Sequence, residues 1–296
     1  MVDLSIVIVN YNAREYIKRC IDSIFESNFK NLEVIVVDNA SKDGSVEELK
    51  KLGSKIKLMV NKNNTGFSAA NNRGIRETSG RYILFLNPDT NVYPSTLKYL
   101  VNFMDKNKQA GAVTCKVVLP NGKIDDASHR GFPTPWNAFC FFSGLERIFP
   151  KSKLFSGYHM GWEDLNRIHE IRACAGAFMM VRREAGEGVG WWDEDFFFYG
   201  EDLNFCLELI KKGWKILYVP RVSILHYKGI SSGIKNHSKH LSHADLETQK
   251  AATVARYDAM KILYKKQYVN SYPRFITWLV MKGVNFKFWL SMRGLK

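Results

Sequence analysis

Three common signals are missing from this sequence of 296 residues. No uninterrupted apolar run reaches the roughly 18 residues that a membrane span needs, and the N-terminus lacks the charged and then apolar leader of a secretory signal peptide. No CxxC motif occurs, and the five cysteines are scattered, mostly within apolar patterns. This usage predicts buried free thiols in a reducing compartment. We therefore expect a cytoplasmic protein without a membrane-spanning helix.

Two glycine-rich phosphate-binding motifs are also absent. No GxGxxG follows the first predicted strand, and no GxxxxGK[ST] occurs anywhere. Such loops place glycine where the backbone must approach a phosphate closely. Their absence disfavours a dehydrogenase-type dinucleotide fold and a P-loop. A nucleotidyltransferase on a similar sheet is disfavoured too, because its glycine-rich, basic N-terminal loop is missing.

Acidic residues are in deficit. The chain has 43 Lys and Arg against 29 Asp and Glu, a formal net charge of +14. Its hydrophobic content of 46% is ordinary for a soluble globular protein, and its length fits one large domain or a domain with an appendage. The excess positive charge predicts a polyanionic partner, which could be nucleic acid, an anionic membrane surface or a phosphorylated substrate.

The first ninety residues alternate between predicted strands and helices. Apolar, β-branched runs predict strands over residues 4–9, 32–37, 56–60 and 82–86, and the segments between them carry helical patterns. The last of these helices, over residues 67–78, is small and polar. This alternation predicts an α/β fold with a doubly wound, mostly parallel sheet.

Three of these strands end in polar side chains, at Asn10, Asp38 and Asn87-Pro88-Asp89. In open α/β sheets, ligands bind at the carboxyl ends of the strands. We therefore expect these side chains to converge on one ligand site, where Asp38 hydrogen-bonds a ribose or a base edge. The alternatives are an Asx turn for Asp38, and an Asx turn or capping of the helix near Ser95 for Asp89.

Regular periodicity is lost between Asp125 and Arg172, where aromatic residues, glycine and proline crowd together. A stretch of this kind is typical of a functional loop or a substrate-facing insertion. A strand is predicted over residues 173–181, and its small residues Gly176 and Ala177 indicate close approach of a ligand or a neighbouring element. Another strand is predicted over residues 214–219, which Pro220 should end.

A second acidic cluster lies among aromatic residues at positions 193–202. Glu201 and Asp202 open a predicted helix, so they could simply cap it and complement its dipole. The alternative role is catalytic, because Phe and Tyr neighbours remove water from a carboxylate and raise its pKa toward the range of a general base. The aromatic setting favours the catalytic role.

Histidines suggest metal binding at two places. His226 follows an apolar run and is either structural or a ligand. His237, His240 and His243 have a metal-like spacing, but Ser and Lys lie between them without a nearby Cys or acid pair. That composition favours a mobile basic loop.

The end of the chain is basic and aromatic. A long helix is predicted from Ala244 to about Tyr268, and residues 261–296 hold eight Lys and Arg and no acid beside many large apolar side chains. This mixture predicts a segment that lies on an anionic leaflet. The alternative is an ordinary helix that packs its apolar face on the domain.

Taken together, the motifs resemble those of the family 2 glycosyltransferases, and within them the bacterial rhamnosyltransferase-like branch. The resemblance covers nearly the whole chain. It rests on SIVIVNYN at 5–12, VDNASKDGS at 37–45, NTGFSAANNRG at 64–74, NPD at 87–89, GAFMMVR at 176–182, WDE at 192–194, FYGED at 198–202, GW at 213–214, YVP at 218–220 and His226.

The resemblance implies a nucleotide-diphospho-sugar transferase (GT-A) domain over residues 1–240. Its nucleotide-binding half would span residues 1–120 and its acceptor-binding half residues 121–240. A C-terminal helix and a basic aromatic tail would follow over residues 241–296.

The resemblance also implies a reaction, in which an activated sugar moves with inversion from a nucleoside diphosphate to an acceptor hydroxyl. Asp202 matches the family's catalytic base, and Glu201 would orient or contact the acceptor. Asp89 matches the metal-binding acid of the DXD motif, and His226 is a further candidate ligand for Mn²⁺ or Mg²⁺. Asn87 stands where many members have the first Asp, which leaves one direct carboxylate for the ion.

The same resemblance places the remaining site residues. Those expected around the donor nucleotide are Val9, Asn10, Tyr11, Asp38, Asn39, Gly66, Asn71, Arg73 and Asn87. Those expected around the acceptor are Gly176, Ala177, Trp191 and Trp192. The two tryptophans could stack on a sugar face or pack in the core.

By resemblance to this branch, dTDP-rhamnose is the first expectation for the donor, with a UDP-sugar as the other pyrimidine choice. The acceptor would be a saccharide or lipid-linked saccharide in cell-surface polysaccharide or glycolipid synthesis. Basic and aromatic residues concentrate in the tail, so we expect peripheral association with the inner face of the plasma membrane rather than nucleic-acid binding. A non-catalytic sugar-nucleotide binder is a further alternative, against which Asp89 and Asp202 argue.

Overall fold

The structure is a computed structural model that describes residues 2–228 and 246–295. Predictions that concern residues 229–245, including the spacing of His237, His240 and His243, lie outside the described residues.

The described chain is organised around one nine-stranded β-sheet. Its strands are β1 (Leu4–Asn10), β2 (Leu32–Asp38), β3 (Lys57–Val60), β4 (Tyr82–Leu86), β5 (Thr90–Val92), β6 (Ala110–Val118), β7 (His169–Ile171), β8 (Phe178–Arg182) and β9 (Lys215–His226). The helices are α1 (Arg14–Phe25), α2 (Ser45–Lys50), α3 (Gly66–Ile75), α4 (Thr96–Lys106), α5 (Pro135–Ser143), α6 (Leu145–Ile148), α7 (Arg183–Val189), α8 (Glu201–Lys211), α9 (Leu246–Gln267) and α10 (Arg274–Arg293).

The strand order is β3-β2-β1-β4-β8-β6-β9-β5, with β7 paired to β9. The first four strands are parallel, as the alternating pattern predicts. β8 then runs antiparallel to both β4 and β6, so the second half of the sheet is mixed and the sheet is less parallel than expected. The α/β fold class is confirmed. A strand that joins the sheet in the antiparallel direction needs no crossover helix before it. The sequence pattern after β4 therefore does not reveal the direction of β8.

Both faces of the sheet are covered, which explains why β4 is apolar along its whole length and β1 is apolar from Ile6 to Val9. Ile6 and Leu84 point to one face, where they pack in a cluster with α1 and α4. Val7 and Phe85 point to the other face, where they pack with residues of α8 and α9. On that second face α3 lies so close to the sheet that a Cβ at Gly74 would stand 2.6 Å from the Val7 side chain.

Three local predictions in the second half are wrong. Residues 125–172 are not wholly irregular, because α5, α6 and β7 lie within them. Gly176 and Ala177 precede β8 rather than lying inside it. Pro220 does not end its strand. Cys115 of β6 pairs with Val219 of β9, but the next residue of β6, Lys116, pairs with Ser223. Pro220 therefore lies in a β-bulge, where its missing N–H is tolerated.

The five cysteines are free and buried, as predicted. At the other end of the fold, α9 is anchored on α8, since Gln267 donates hydrogen bonds to Asn204 (2.6 Å) and Glu208 (2.9 Å). α10 packs against α9, and none of its residues is fully buried. Every helix within the described residues is too short or too polar to cross a membrane.

Candidate active site

The ends of β1 and β2 bring Asn10 and Asp38 together. The two residues are paired in register, and Asn10 Nδ2 donates to Asp38 Oδ2 at 2.7 Å. The other carboxylate oxygen of Asp38 accepts the backbone N–H of Ser41 at 2.9 Å, as an Asx turn would. Asn10 Oδ1 is buried without a partner among the described residues. An orphaned acceptor at a strand end suits a ligand that brings its own N–H or O–H.

The amide of Asn39 holds the loop that leads into α3. Its Nδ2 donates to Asn64 Oδ1 at 2.8 Å, and its Oδ1 accepts from Asn61 Nδ2 at 2.8 Å and from the N–H of Thr65 at 3.0 Å. The loop ends at Gly66, which has a φ of +83° and lies against the backbone of Phe197. Asn39 and Gly66 therefore fix the loop that lies beside the ends of β1 and β2.

The remaining residues predicted around the nucleotide are also placed at this end of the sheet. Asn71 donates to the carbonyl of Phe67 at 2.9 Å, and Arg73 donates to the side chain of Asn61 and to the carbonyl of Val60. Val9 and Tyr11 are partly exposed beside Asn10. Direct contact of these four residues with a ligand stays a prediction.

A buried chain of charged groups lies at the end of β4. β5 pairs with the end of β9, with Thr90 opposite His226, and this brings His226 Nε2 to 3.3 Å from Asp89 Oδ1. On its other side, His226 Nδ1 lies 3.2 Å from Asp125 Oδ2. Lys228 forms an ion pair with the same carboxylate. Asp89 and His226 are 6% and 4% exposed, so the group is shielded from bulk water.

The charged groups in this chain shift one another's pKa values. Burial lowers the pKa of His226, but the carboxylates of Asp89 and Asp125 outweigh burial and raise the pKa to about 9. Burial raises the pKa of Asp125, but His226 and Lys228 outweigh it and hold the pKa well below its usual range. The imidazolium thus stands between two carboxylates.

The same geometry fits a divalent cation. Metal-ligating histidines are commonly oriented by a carboxylate on their second nitrogen, which is the position that Asp125 takes at Nδ1. Asp89 and His226 Nε2 would then face the ion as its two protein ligands. The described residues contain no cluster of three or more His, Cys, Asp or Glu that could hold a metal, so diphosphate and water oxygens would have to supply the rest.

Asn87 contributes through its backbone. Its N–H donates to the carbonyl of Ala177 at 3.0 Å, and its own carbonyl accepts from Thr90 Oγ1 at 2.8 Å. These bonds hold the turn that carries Asp89 and connect it to the segment before β8. No cap on α4 involves Asp89, because the residue before that helix is Ser95 and no side chain caps it.

Glu201 and Asp202 form the first turn of α8, and Gly200, with a φ of +81°, is the capping residue. Asp202 Oδ1 accepts the N–H of Leu203 at 2.7 Å within this first turn, but no side chain caps the helix. Its Oδ2 accepts from Arg130 at 2.5 Å, in an ion pair whose two side chains are each 12% exposed. The guanidinium fixes the orientation of this carboxylate.

Glu201 has a different environment. It is 6% exposed, and its Oε2 is buried without a partner among the described residues. Burial, and after it the negative charge of Asp202, raise the pKa of the Glu201 carboxyl well above its ordinary value. Two adjacent acids thus differ sharply, one ion-paired and one held toward its neutral form.

Sequence patterns did not reveal the segment from Asp125 to Arg130. Asp125 contacts His226, and Arg130 contacts Asp202, with a short 3₁₀ turn at Asp126–Ser128 between them. Five residues span at most roughly 18 Å even when extended, so this segment keeps the two acidic groups in the same region of the fold. It lies where periodicity is lost, and the only available signal was the presence of an acid and a base in a non-periodic stretch.

The residues predicted to contact the acceptor are placed close together. A Cβ at Gly176 would lie 3.1 Å from Phe67 and 3.5 Å from Trp192. Trp192 is 2% exposed and stacks on Phe205 at 4.9 Å between ring centroids. Trp191, with a φ of +64°, packs against Gly186. This placement favours the packing alternative for both indoles, and their contact with an acceptor stays a prediction.

Comparison with known proteins gives relatives of similar length. The N-acetylglucosaminyl-diphospho-decaprenol L-rhamnosyltransferase of Mycobacterium tuberculosis is 25% identical over 264 residues, which cover 81% of this chain and 80% of that protein. The rhamnosyltransferase WbbL of Escherichia coli K12 is 27% identical over 233 residues, 75% of this chain and 82% of that protein.

Two solved structures show a similar fold at 17% sequence identity. GalNAc-T7 with UDP, GalNAc and Mn²⁺ superimposes with a TM-score of 0.57 over 76% of this chain and 44% of its own. S. aureus TarS superimposes with a TM-score of 0.55 over 86% of this chain and 39% of its own. The chain thus spans less than half of either protein.

The model of the family described as Glycosyl transferase family 2 matches residues 5–187, which is more than half of the chain. The match contains Asp38, Asp89 and the segment Asp125–Arg130, whereas Asp202 and His226 lie beyond it. Because this family model matches more than half of the chain, and because the relatives above are glycosyltransferases, the chain belongs to glycosyl transferase family 2 and is a glycosyltransferase.

Proposed function

We propose that this protein transfers a sugar, with inversion, from a nucleoside diphosphate to a hydroxyl of a lipid-linked saccharide in cell-surface glycan synthesis. The observation that carries the proposal is the segment Asp125–Arg130. It touches the candidate metal group at one end and the candidate base at the other. Such an arrangement gives one crevice both a place for a diphosphate and a place for a nucleophile.

The donor would lie at the strand ends. Asn10 Oδ1 offers a buried acceptor for the base or ribose, and Asp38 is held beside it. Asp89 and His226 would hold a divalent cation, Mn²⁺ or Mg²⁺, which when bound neutralises charge on the leaving diphosphate. The related structures support this assignment, since GalNAc-T7 was solved with UDP, GalNAc and Mn²⁺, and TarS with UDP-GlcNAc.

Asp202 would act as the base. The acceptor oxygen attacks the anomeric carbon, the bond from that carbon to the diphosphate breaks, and the hydroxyl proton passes to Asp202. Arg130 and the N–H of Leu203 each use one lone pair of a different Asp202 oxygen, and the lone pairs that remain can take the proton. Glu201, held toward its neutral form, could donate a hydrogen bond to the acceptor.

The substrates follow from the relatives. The two relatives described above are rhamnosyltransferases, and the mycobacterial relative is named for a decaprenol-linked acceptor. We therefore assign dTDP-rhamnose as the first candidate donor and a polyprenyl-diphosphate-linked saccharide as the acceptor class. Residues 1–120 would form the nucleotide half and residues 121–240 the acceptor half of the transferase domain. Residues 241–296, the C-terminal extension, would keep a cytoplasmic enzyme at the inner face of the plasma membrane.

The experiment that tests this function separates donor binding from chemistry. Thermal shift with Mn²⁺ is measured for UDP-, dTDP- and GDP-sugars, since a ligand at 100 times its Kd stabilises the folded state by about 2.7 kcal/mol. Nucleotide release is then followed with a lipid-linked acceptor. Stabilisation by pyrimidine sugar nucleotides, lost with EDTA, is expected. Stabilisation by GDP-sugars alone would overturn the assignment of a pyrimidine donor. A rate of nucleotide release that is the same with and without the acceptor would overturn the proposed sugar transfer.

A further inference from the structure

Exposed large hydrophobic side chains cluster in two segments of the described chain. Of the twenty-one in residues 2–228 and 246–295, thirteen lie in residues 136–154 and in α10. The first group comprises Trp136, Phe139, Phe141, Phe142, Ile148, Phe149 and Leu154, and the second Phe275, Trp278, Leu279, Phe286, Trp289 and Leu290. Each is between 43% and 67% exposed. Scattered apolar residues need no explanation, but a cluster of this size indicates a binding surface.

One side of α10 packs against α9, and the opposite side is exposed to solvent. Tyr264 and Tyr257 hydrogen-bond Thr277 at 3.1 Å and Ser291 at 2.7 Å, and these contacts fix the side that faces α9. At about 100° of rotation per residue, the six exposed residues of α10 fall on the opposite side. An amphipathic helix normally turns polar residues outward, so this apolar outer side requires a partner.

The two segments meet. Lys287 on α10 places its Nζ 4.6 Å from the ring centroid of Phe142 on α5. The exposed aromatic rings of residues 136–154 therefore continue into those of α10. We call the combined surface, residues 136–154 and α10, the two-segment face.

All exposed charges on the two-segment face are positive. α10 carries Arg274, Lys282, Lys287 and Arg293 and no acid, and residues 136–154 carry Arg147, Lys151 and Lys153. The one acid in residues 136–154, Glu146, is turned inward, where it accepts from Ser156 Oγ at 3.1 Å and from the N–H of His159 at 3.0 Å. Aromatic residues mixed with cations are complementary to the headgroup region of an anionic bilayer.

The face is also linked to the candidate base. The ring of Phe141 lies 5.7 Å from that of Tyr158, whose hydroxyl is 3.5 Å from Arg130, the partner of Asp202. The side chain of Tyr158 thus connects the exposed Phe141 to the ion pair.

We propose that the two-segment face binds an anionic lipid bilayer, with α5–α6 as the part that brings the acceptor side of the crevice to the membrane surface. The binding itself follows from the face alone. Only the delivery of a membrane-borne acceptor rests on the function proposed above. The C-terminal helix is then one half of the membrane contact rather than the whole of it.

Vesicle sedimentation tests the proposal with the full-length chain. Wild-type protein should sediment with vesicles of phosphatidylcholine and phosphatidylglycerol, and far less with phosphatidylcholine alone. The variant Phe139→Ser/Phe142→Ser/Ile148→Ser should lose tenfold or more in partitioning, and so should Trp278→Ser/Phe286→Ser/Trp289→Ser, because each variant removes three large apolar side chains from the contact with the bilayer. The control Val60→Ser/Tyr93→Ser/Tyr99→Ser, with exposed apolar residues elsewhere, should bind as wild type.

Three outcomes would overturn the proposal. Unchanged vesicle binding of the α5–α6 variant would restrict membrane contact to α10, and binding to both vesicle types alike would remove the role of the charges. Sedimentation velocity without lipid gives the third outcome. If the wild-type protein is a dimer and both triple variants are monomers, the face binds a second copy of the chain. Donor thermal shift is measured on the same variants and should be unchanged, so failure of the proposed function is seen separately.

Discussion

The carboxylates at the strand ends and those at the start of α8 are held in different ways. Asp38 is the last residue of β2 and Asp89 lies between β4 and β5, and their partners are an amide on β1 and an imidazole on β9. Asp202 instead depends on Arg130, which reaches it from a non-periodic segment, and the neighbouring Glu201 has an oxygen with no partner in the described chain.

This difference indicates a division of labour. Residues at strand ends are fixed by the ladder of the sheet, which suits binding of a rigid, highly charged diphosphate. The acids of α8 are set by one ion pair and by each other, so the raised pKa of Glu201 depends on the groups around it. The predictions below test whether the two regions can be separated, in order of decreasing expected effect.

The variant Asp202→Asn should separate chemistry from binding. Loss of a positioned general base costs typically 10²–10⁴-fold in rate, and sugar transfer should fall within that range. Donor thermal shift should stay as in wild type, because Asp38 and Asp89 are untouched. The counterpart Asp89→Asn should instead abolish the metal-dependent part of the donor shift. Full transfer activity in Asp202→Asn would show that the base is another residue.

The variant Arg130→Met should be the most destabilising change on the α8 side. Removing one partner of a buried pair leaves an uncompensated charge and costs roughly 3–5 kcal/mol in the free energy of unfolding. The exposed pair of Arg81 and Asp105 provides the control, since Arg81→Met should cost about 1 kcal/mol or less. Urea denaturation measures both. If the double variant Arg130→Met/Asp202→Asn is no more stable than Arg130→Met, the lone charge is not the cause of the loss.

The variant Gly66→Ala tests the rigidity of the strand-end side. The backbone there has a positive φ, and an added Cβ would lie 2.5 Å from the carbonyl oxygen of Phe197. Gly122 also has a positive φ but has open space around it, so Gly122→Ala isolates the conformational cost of about 1 kcal/mol. Thermal unfolding should show a loss for Gly66→Ala about twice as large or more. Equal losses would mean that the loop moves freely away from Phe197.

The variant Glu201→Gln should change the pH dependence of stability. The pKa of Glu201 is raised in the folded protein, so its contribution to stability is present below the ordinary value of 4.5 and is lost as pH rises toward the folded pKa. Glutamine stays neutral, so the variant should match wild type at low pH and exceed it at neutral pH by on the order of 1 kcal/mol. Glu184→Gln, an exposed first-turn glutamate of α7, is the control. A pH-independent difference would contradict the raised pKa.

The amino-acid sequence determined the first half of the sheet and its strand-end residues. Hydrophobic runs such as Ile83–Leu86 are long enough to specify buried strands by themselves, and a proline after them places Asp89 at the carboxyl end. Because parallel strands end at the same edge, the convergence of Asn10 and Asp38 follows from local pattern alone.

Only the tertiary structure decided the other half of the site. Asp125 and Arg130 lie in a segment without periodicity, and their burial depends on long-range contacts with His226 and Asp202 that no local pattern encodes. The direction of β8 and the bulge that accommodates Pro220 are likewise set by strand pairing across the sheet. The aromatic side of α10 faces solvent because the opposite side packs on α9. The packing energy of the whole helix determines which side packs, and no local pattern encodes it.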